Sequence, residues 1–128
     1  MRFNSEDIAE LVDSGVDHIT ITPEGLVQSR ERAGEFLVIQ ATLTHYLQQV
    51  SLDLSRISAI KDAVFADAIG RATGKNITEK KVAVAKDEHY VIALKDFEEM
   101  DAHRDWVKGC IRIFEHAHLL YRGASRFE

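Results

Sequence analysis

The sequence predicts a mainly α protein: a long antiparallel helical hairpin of coiled-coil type, preceded by a short N-terminal helix and strand, and assembled into oligomers. Two apolar seams and the break between them predict it. The first seam runs through Phe36, Gln40, Leu43, Leu47, Val50, Leu54, Ile57, Lys61, Val64 and Ala68. The second runs through Tyr90, Ala93, Phe97, Met100, Arg104, Val107, Ile111, Phe114, His118 and Tyr121. Alternating spacings of four and three hold a stripe on one side of a helix, and a stripe that long must be covered by another helix. A Gly-containing segment, Gly70 to Asn76, separates the two and supplies the turn of the hairpin.

The elements follow in chain order. Asn4 is placed to cap a first helix, and Phe3 and Ile8 stand at the positions of a hydrophobic staple. Ile8, Leu11 and Val12 give a short amphipathic stretch, which Ser14-Gly15 is expected to stop. Val16 to Thr22 then alternates, with Ile19 and Ile21 on one side, and reads as a short strand. Thr22-Pro23-Glu24 reads as the start of the first long helix, which begins at Pro23 or as late as Ser29 and ends near Ala72. The rival reading is a hairpin turn at Pro23-Glu24-Gly25 with Leu26-Val27-Gln28 as a return strand. Thr78 is placed to cap a short helix to about Ala85, and Asp87 the last long helix, which ends near Arg122-Gly123 before a tail. This divides the chain into an N-terminal segment, 1–22, and a hairpin, 23–128, within one domain.

At 128 residues an extended hairpin has no thick core, so its broad apolar flanks predict a homo-oligomer. Ile39, Tyr46, Trp106, Ile113 and Leu120 flank the seams and are the expected oligomer interface. The net charge of −5 does not suggest a dedicated duplex-DNA binder, although it says little about a local patch. A single cysteine, Cys110, allows no internal disulfide and beside the apolar stripe is expected to be an inert packed thiol. The first residues carry acids where a secretory leader carries bases, and no apolar run is long enough to cross a membrane.

Charge is unevenly placed. Gly70 to Lys86 holds Arg71, Lys75, Lys80, Lys81 and Lys86 against Glu79 alone. Flexible cations beside glycines can follow a phosphate backbone without reading bases, so these five are the candidate DNA-binding residues. They can equally be a solvated helix end, where cations complement the dipole. Acids concentrate in Lys95 to Asp105, where Asp96, Glu99 and Asp101 are candidates for docking a basic partner protein. His116 and His118 diverge by roughly 200° on a helix and make no zinc pair. No nucleophile elbow or phosphate-binding Gly-rich loop occurs, and Gly70 to Lys75 only imitates the latter, since it ends a helix instead of following a strand. Catalytic residues, metal ligands and cofactors are therefore not expected.

The layout resembles the UvsY family of phage recombination mediators. The pieces that carry the resemblance are Ser5 to Val12, Val16 to Ile21, Leu26 to Ile69, the Gly70-Arg71 and Gly74-Lys75 break, Thr78 to Ala85, and Tyr90 to Tyr121 with Trp106 and Cys110. The resemblance implies a non-enzymatic accessory in the cytoplasm of a bacterial host cell. Such an accessory binds single-stranded DNA, assembles into rings and helps a RecA-like recombinase displace a single-strand-binding protein. The family's basic motif precedes the Gly-Arg break on the first long helix, but here Lys61 to Ala68 holds one cation and two acids. The alternative is an oligomeric scaffold, adaptor or inhibitor that binds only proteins.

Overall fold

The computed structural model describes residues 2–20 and 25–127. It contains four helices: α1, Ser5–Thr20; α2, Leu26–Arg71; α3, Ile77–Val84; and α4, Glu88–Phe127. They group into two compact units. Met1–Gln49 with Asp105–Glu128 forms the first, and Val50–Arg104 the second. In both units α2 packs on α4, the pairing of a helical hairpin.

In the first unit the seams meet as their spacing requires. Phe36, Leu43, Val107, Phe114 and Tyr121 are buried. Phe36 packs on Phe114 and Tyr121 with ring centroids 6.0 and 5.2 Å apart. His118, a polar member of the seam, points Nδ1 at the Ala33 carbonyl at 2.8 Å. A carbonyl can only accept, so that nitrogen carries the proton.

α1 corrects two expectations. It does not stop at Ser14-Gly15, and no strand follows, since Val16 to Thr20 continues the helix. Ile21 and Thr22 lie outside the described residues. The spacing of Ile8, Val12, Gly15 and Ile19 is helical, and it runs straight through the alternating stretch. Gly15 is there for closeness: a β-carbon at this position would come within 2.5 Å of the Phe114 ring and 2.8 Å of Ile39 Cδ1. The bare backbone lets α1 lie directly on α2 and α4.

Both ends of α1 are tied down. Asn4 Oδ1 accepts from the Glu6 amide at 2.8 Å, the cap its identity predicts. Phe3 N–H donates to Gln49 Oε1 at 2.7 Å, and Gln49 Nε2 donates back to Phe3 O at 3.0 Å. At the other end the orphan carbonyls of the last turn need donors. Arg32 Nη1 donates to His18 O at 3.1 Å, and the Tyr121 hydroxyl reaches Ile19 O at 3.2 Å. His18 Nδ1 lies 2.6 Å from both carboxylate oxygens of Glu35, which ties the side chain of that turn to α2 as well.

α2 starts after Gly25, whose φ of 95° suits glycine and whose carbonyl accepts the first helical bond, from Ser29 N at 3.1 Å. The return strand at Leu26 to Gln28 is excluded, because these residues are helical. Pro23 lies outside the described residues.

In the second unit Phe65 packs edge-on against Tyr90 with centroids 5.5 Å apart. Lys61, a cation inside an apolar seam, places Nζ 4.2 Å from the centre of the Phe97 ring, so its charge meets a π face and not a void. Arg104, the other cation in the seams, donates Nη2 to Asp101 at 2.7 Å. α3 buries Val84, while Ala68 is the buried residue nearest the end of α2. α4 runs to Phe127 and does not stop at Arg122-Gly123. Gly123 has open space around it and no proline follows, so nothing local breaks the helix.

Gly15→Ala is expected to destabilise the protein. An alanine side chain gains up to about 1 kcal/mol of helix propensity over glycine, but overpacking against a fully buried ring costs about 1–3 kcal/mol. Urea denaturation should show a lower midpoint with the slope unchanged.

Candidate functional site

The basic turn is built by local bonds. Asn76 caps α3, its Oδ1 accepting from Glu79 N at 2.9 Å. Glu79 reaches back and accepts from Lys75 N at 2.7 Å. The two side chains make a reciprocal arrangement of the capping-box kind, shifted back by one residue on the glutamate side. The sequence assignment of Thr78 as the cap is therefore corrected to Asn76. The signal was present in Asn76-Ile77-Thr78-Glu79, where a capping residue stands three positions before a glutamate. Asp87 caps α4 as expected, accepting from Tyr90 N at 3.1 Å.

The five candidate cations do not share one role. Arg71 is held by Asp67 at 3.0 Å and approaches Asp87 at 3.7 Å, so it links the last turn of α2 to the cap of α4. Lys75, Lys81 and Lys86 are exposed and Lys80 is half-buried. Among the described residues none of these four lysines forms an ion pair. Four uncompensated ammonium groups thus stand within twelve positions of each other, on α3 and the loops at its ends.

The acidic stretch has a groove beside it in the second unit. Asp96, Glu99 and His103 rim it, and Ile57 and Met100 supply its apolar lining, with a volume of about 300 Å³. Glu99 lies 3.7 Å from Lys95, and both are well exposed, so this pair contributes little. Asp101 lies to one side and holds Arg104. The arrangement offers a carboxylate edge over an apolar floor.

The expected oligomer interface divides. Ile39 and Tyr46 are 2% and 3% exposed, so the expectation that they await another subunit is corrected. Ile39 sits against the Gly15 backbone, and Tyr46 takes the Phe3 ring edge-on at 6.2 Å. Trp106, Ile113 and Leu120 stay open, at 41%, 49% and 67% exposed. Cys110 is buried, and burial pushes its thiol above the usual range, which suits a packed and unreactive side chain. Among the described residues no group of three or more His, Cys, Asp or Glu could hold a metal ion. No described helix is long and apolar enough to cross a membrane.

No protein family, curated protein or solved structure matches this chain.

Asn76→Ala should remove the cap and cost about 1 kcal/mol, the typical value for losing such a residue. Amide exchange should quicken at Ile77 to Lys80 while Phe36 and Val107 keep their protection.

Proposed function

We propose that the protein is a non-enzymatic mediator of recombination. It binds single-stranded DNA through the turn around α3 and assists loading of a RecA-like recombinase against a single-strand-binding protein. The observation that carries this reading is the set of four lysines without carboxylate partners, Lys75, Lys80, Lys81 and Lys86, in a chain whose net charge is −5. Cations already neutralised by the fold have little left to give to phosphate. Arg71, engaged by Asp67, belongs to the support of the turn.

The turn contains no aromatic side chain from Gly70 to Lys86. Binding there rests on phosphate charge and not on base stacking, so it tolerates any sequence. The groove of Asp96, Glu99, Ile57 and Met100 favours a second contact, with a basic segment of a protein partner. Acids at that edge keep DNA off it and steer a cationic partner toward it. A protein-only adaptor would use the same groove with no role for the lysines.

Fluorescence anisotropy with a labelled oligo-dT measures the first contact. Affinity should fall with salt at a log–log slope of about −0.7 per phosphate neutralised. Lys80→Glu with Lys81→Glu should abolish binding while helicity is kept. Undiminished binding by that variant would move the site elsewhere, and no binding by the wild type at low salt would favour the adaptor.

Asp96→Asn with Glu99→Gln should leave DNA binding intact or slightly stronger. Capture of the recombinase should slow and lose its salt dependence, because rim charges act mainly on association rate. Stopped-flow mixing with the recombinase checks this, and an unchanged rate would return the stretch to a solvated face.

A further inference from the structure

α3 packs by the side that carries the buried Val84 and the half-buried Lys80 and Ala83. Its other side is open. Ile77 and Val82 are 56% and 58% exposed, and they are the exposed large apolar side chains that fall between the lysines of the turn. At about 100° per residue they mark the edges of an arc of about 140° that also holds Thr78, Lys81 and Ala85, all exposed. That arc holds no acid; Glu79, the one carboxylate between Lys75 and Lys86, is engaged by the Lys75 amide. Phosphate contact alone gives these two apolar side chains nothing to do. It also gives the turn no reason to choose single strands. A duplex carries its charge more densely, at one per about 1.7 Å, and four lysines by themselves favour it.

We infer, on the reading of this turn as the DNA contact, that Ile77 and Val82 lie against the bases of a bound single strand while Lys75, Lys80, Lys81 and Lys86 hold its phosphates. Phosphate charge supplies most of the affinity, and the two apolar side chains supply the preference for single strands. In a single strand the faces of the bases can turn outward, and an aliphatic side chain laid on one removes apolar surface from water. In a duplex those faces are stacked inside, and the grooves show only base edges. Aliphatic side chains can take up such faces without an aromatic ring, as they do where they wedge between base steps. Every base has an apolar face, so the contact selects strandedness and not sequence.

Fluorescence anisotropy of the full chain with three labelled probes of equal phosphate number tests this: oligo-dT, an abasic single strand that keeps the phosphates and lacks the bases, and a hairpin duplex. Wild type should bind oligo-dT at least about tenfold more tightly than the abasic strand. Ile77→Ser with Val82→Ser should bind the two single strands equally, with wild-type affinity for the abasic strand and the duplex. Serine is close to isoleucine and valine in helix propensity and both positions are open, so circular dichroism should show unchanged helicity and melting. Ile77→Leu with Val82→Leu should keep the wild-type ratio, because it keeps the apolar contact. A wild type that binds the abasic strand as well as oligo-dT, a serine pair that keeps the wild-type ratio, or a leucine pair that loses it would overturn the inference while the lysine contact stands. Binding that survives Lys80→Glu with Lys81→Glu, or a wild type that binds none of the probes, would overturn the reading of the turn and this inference with it.

Discussion

Phe114 and the missing side chain at Gly15 decide how the first unit is put together. The ring is fully buried, packed on Phe36, and it takes up the space that a β-carbon on α1 would need. α1 can therefore rest on α2 and α4 at backbone distance. The consequences follow from that approach. Ile8 and Val12 lose their water, and so do Ile39 and Tyr46 on α2. Each such large apolar side chain contributes about 1.5–3 kcal/mol on burial. The closeness also puts the last carbonyls of α1 within reach of Arg32 and Tyr121, so a helix end that has no glycine stop is still satisfied.

Much of this was legible in the sequence, and what was not has a common cause. The seams needed only periodicity, and their members are buried or half-buried in the structure, Phe36, Leu43, Val107 and Phe114 most completely. Asn4 and Asp87 were legible as caps because a cap acts within three residues. The end of α1 was misread because five β-branched residues between Val16 and Thr22 alternate over too short a span to separate strand from helix. What settles Gly15 to Thr20 as helix is contact with residues far along the chain: Ile39, Phe114, Arg32 and Tyr121. Ile39 was taken for an outer flank because α1 was expected to stop at the glycine that rests on it, and Tyr46 because its cover, Phe3, lies far away along the chain. Lys61 is a polar position of the first seam, and only the fold supplies the Phe97 ring that its ammonium group meets.

The candidate site divides along similar lines. Its composition, lysines around a Gly-containing break, is visible in the string of residues. Which cations are spent is partly visible, because Asp67 stands four positions before Arg71 on one helix, a spacing that favours pairing. The approach of Asp87 to the same guanidinium depends on the turn closing and is not. The groove of Ile57 with Asp96, Glu99 and Met100 needs α2 and α4 side by side, so only its acidic half could be named beforehand.

A turn with four lysines outside any ion pair and a carboxylate-edged groove on the same unit give the protein two surfaces of opposite sign. The reading as a mediator rests on the first of them touching phosphate. Hydrogen–deuterium exchange with and without a saturating oligo-dT locates that contact most directly. Protection gained in 74–86, with Asp96 to His103 unchanged, is the result this reading predicts. Protection confined to the acidic groove, or none anywhere under saturation, would contradict it.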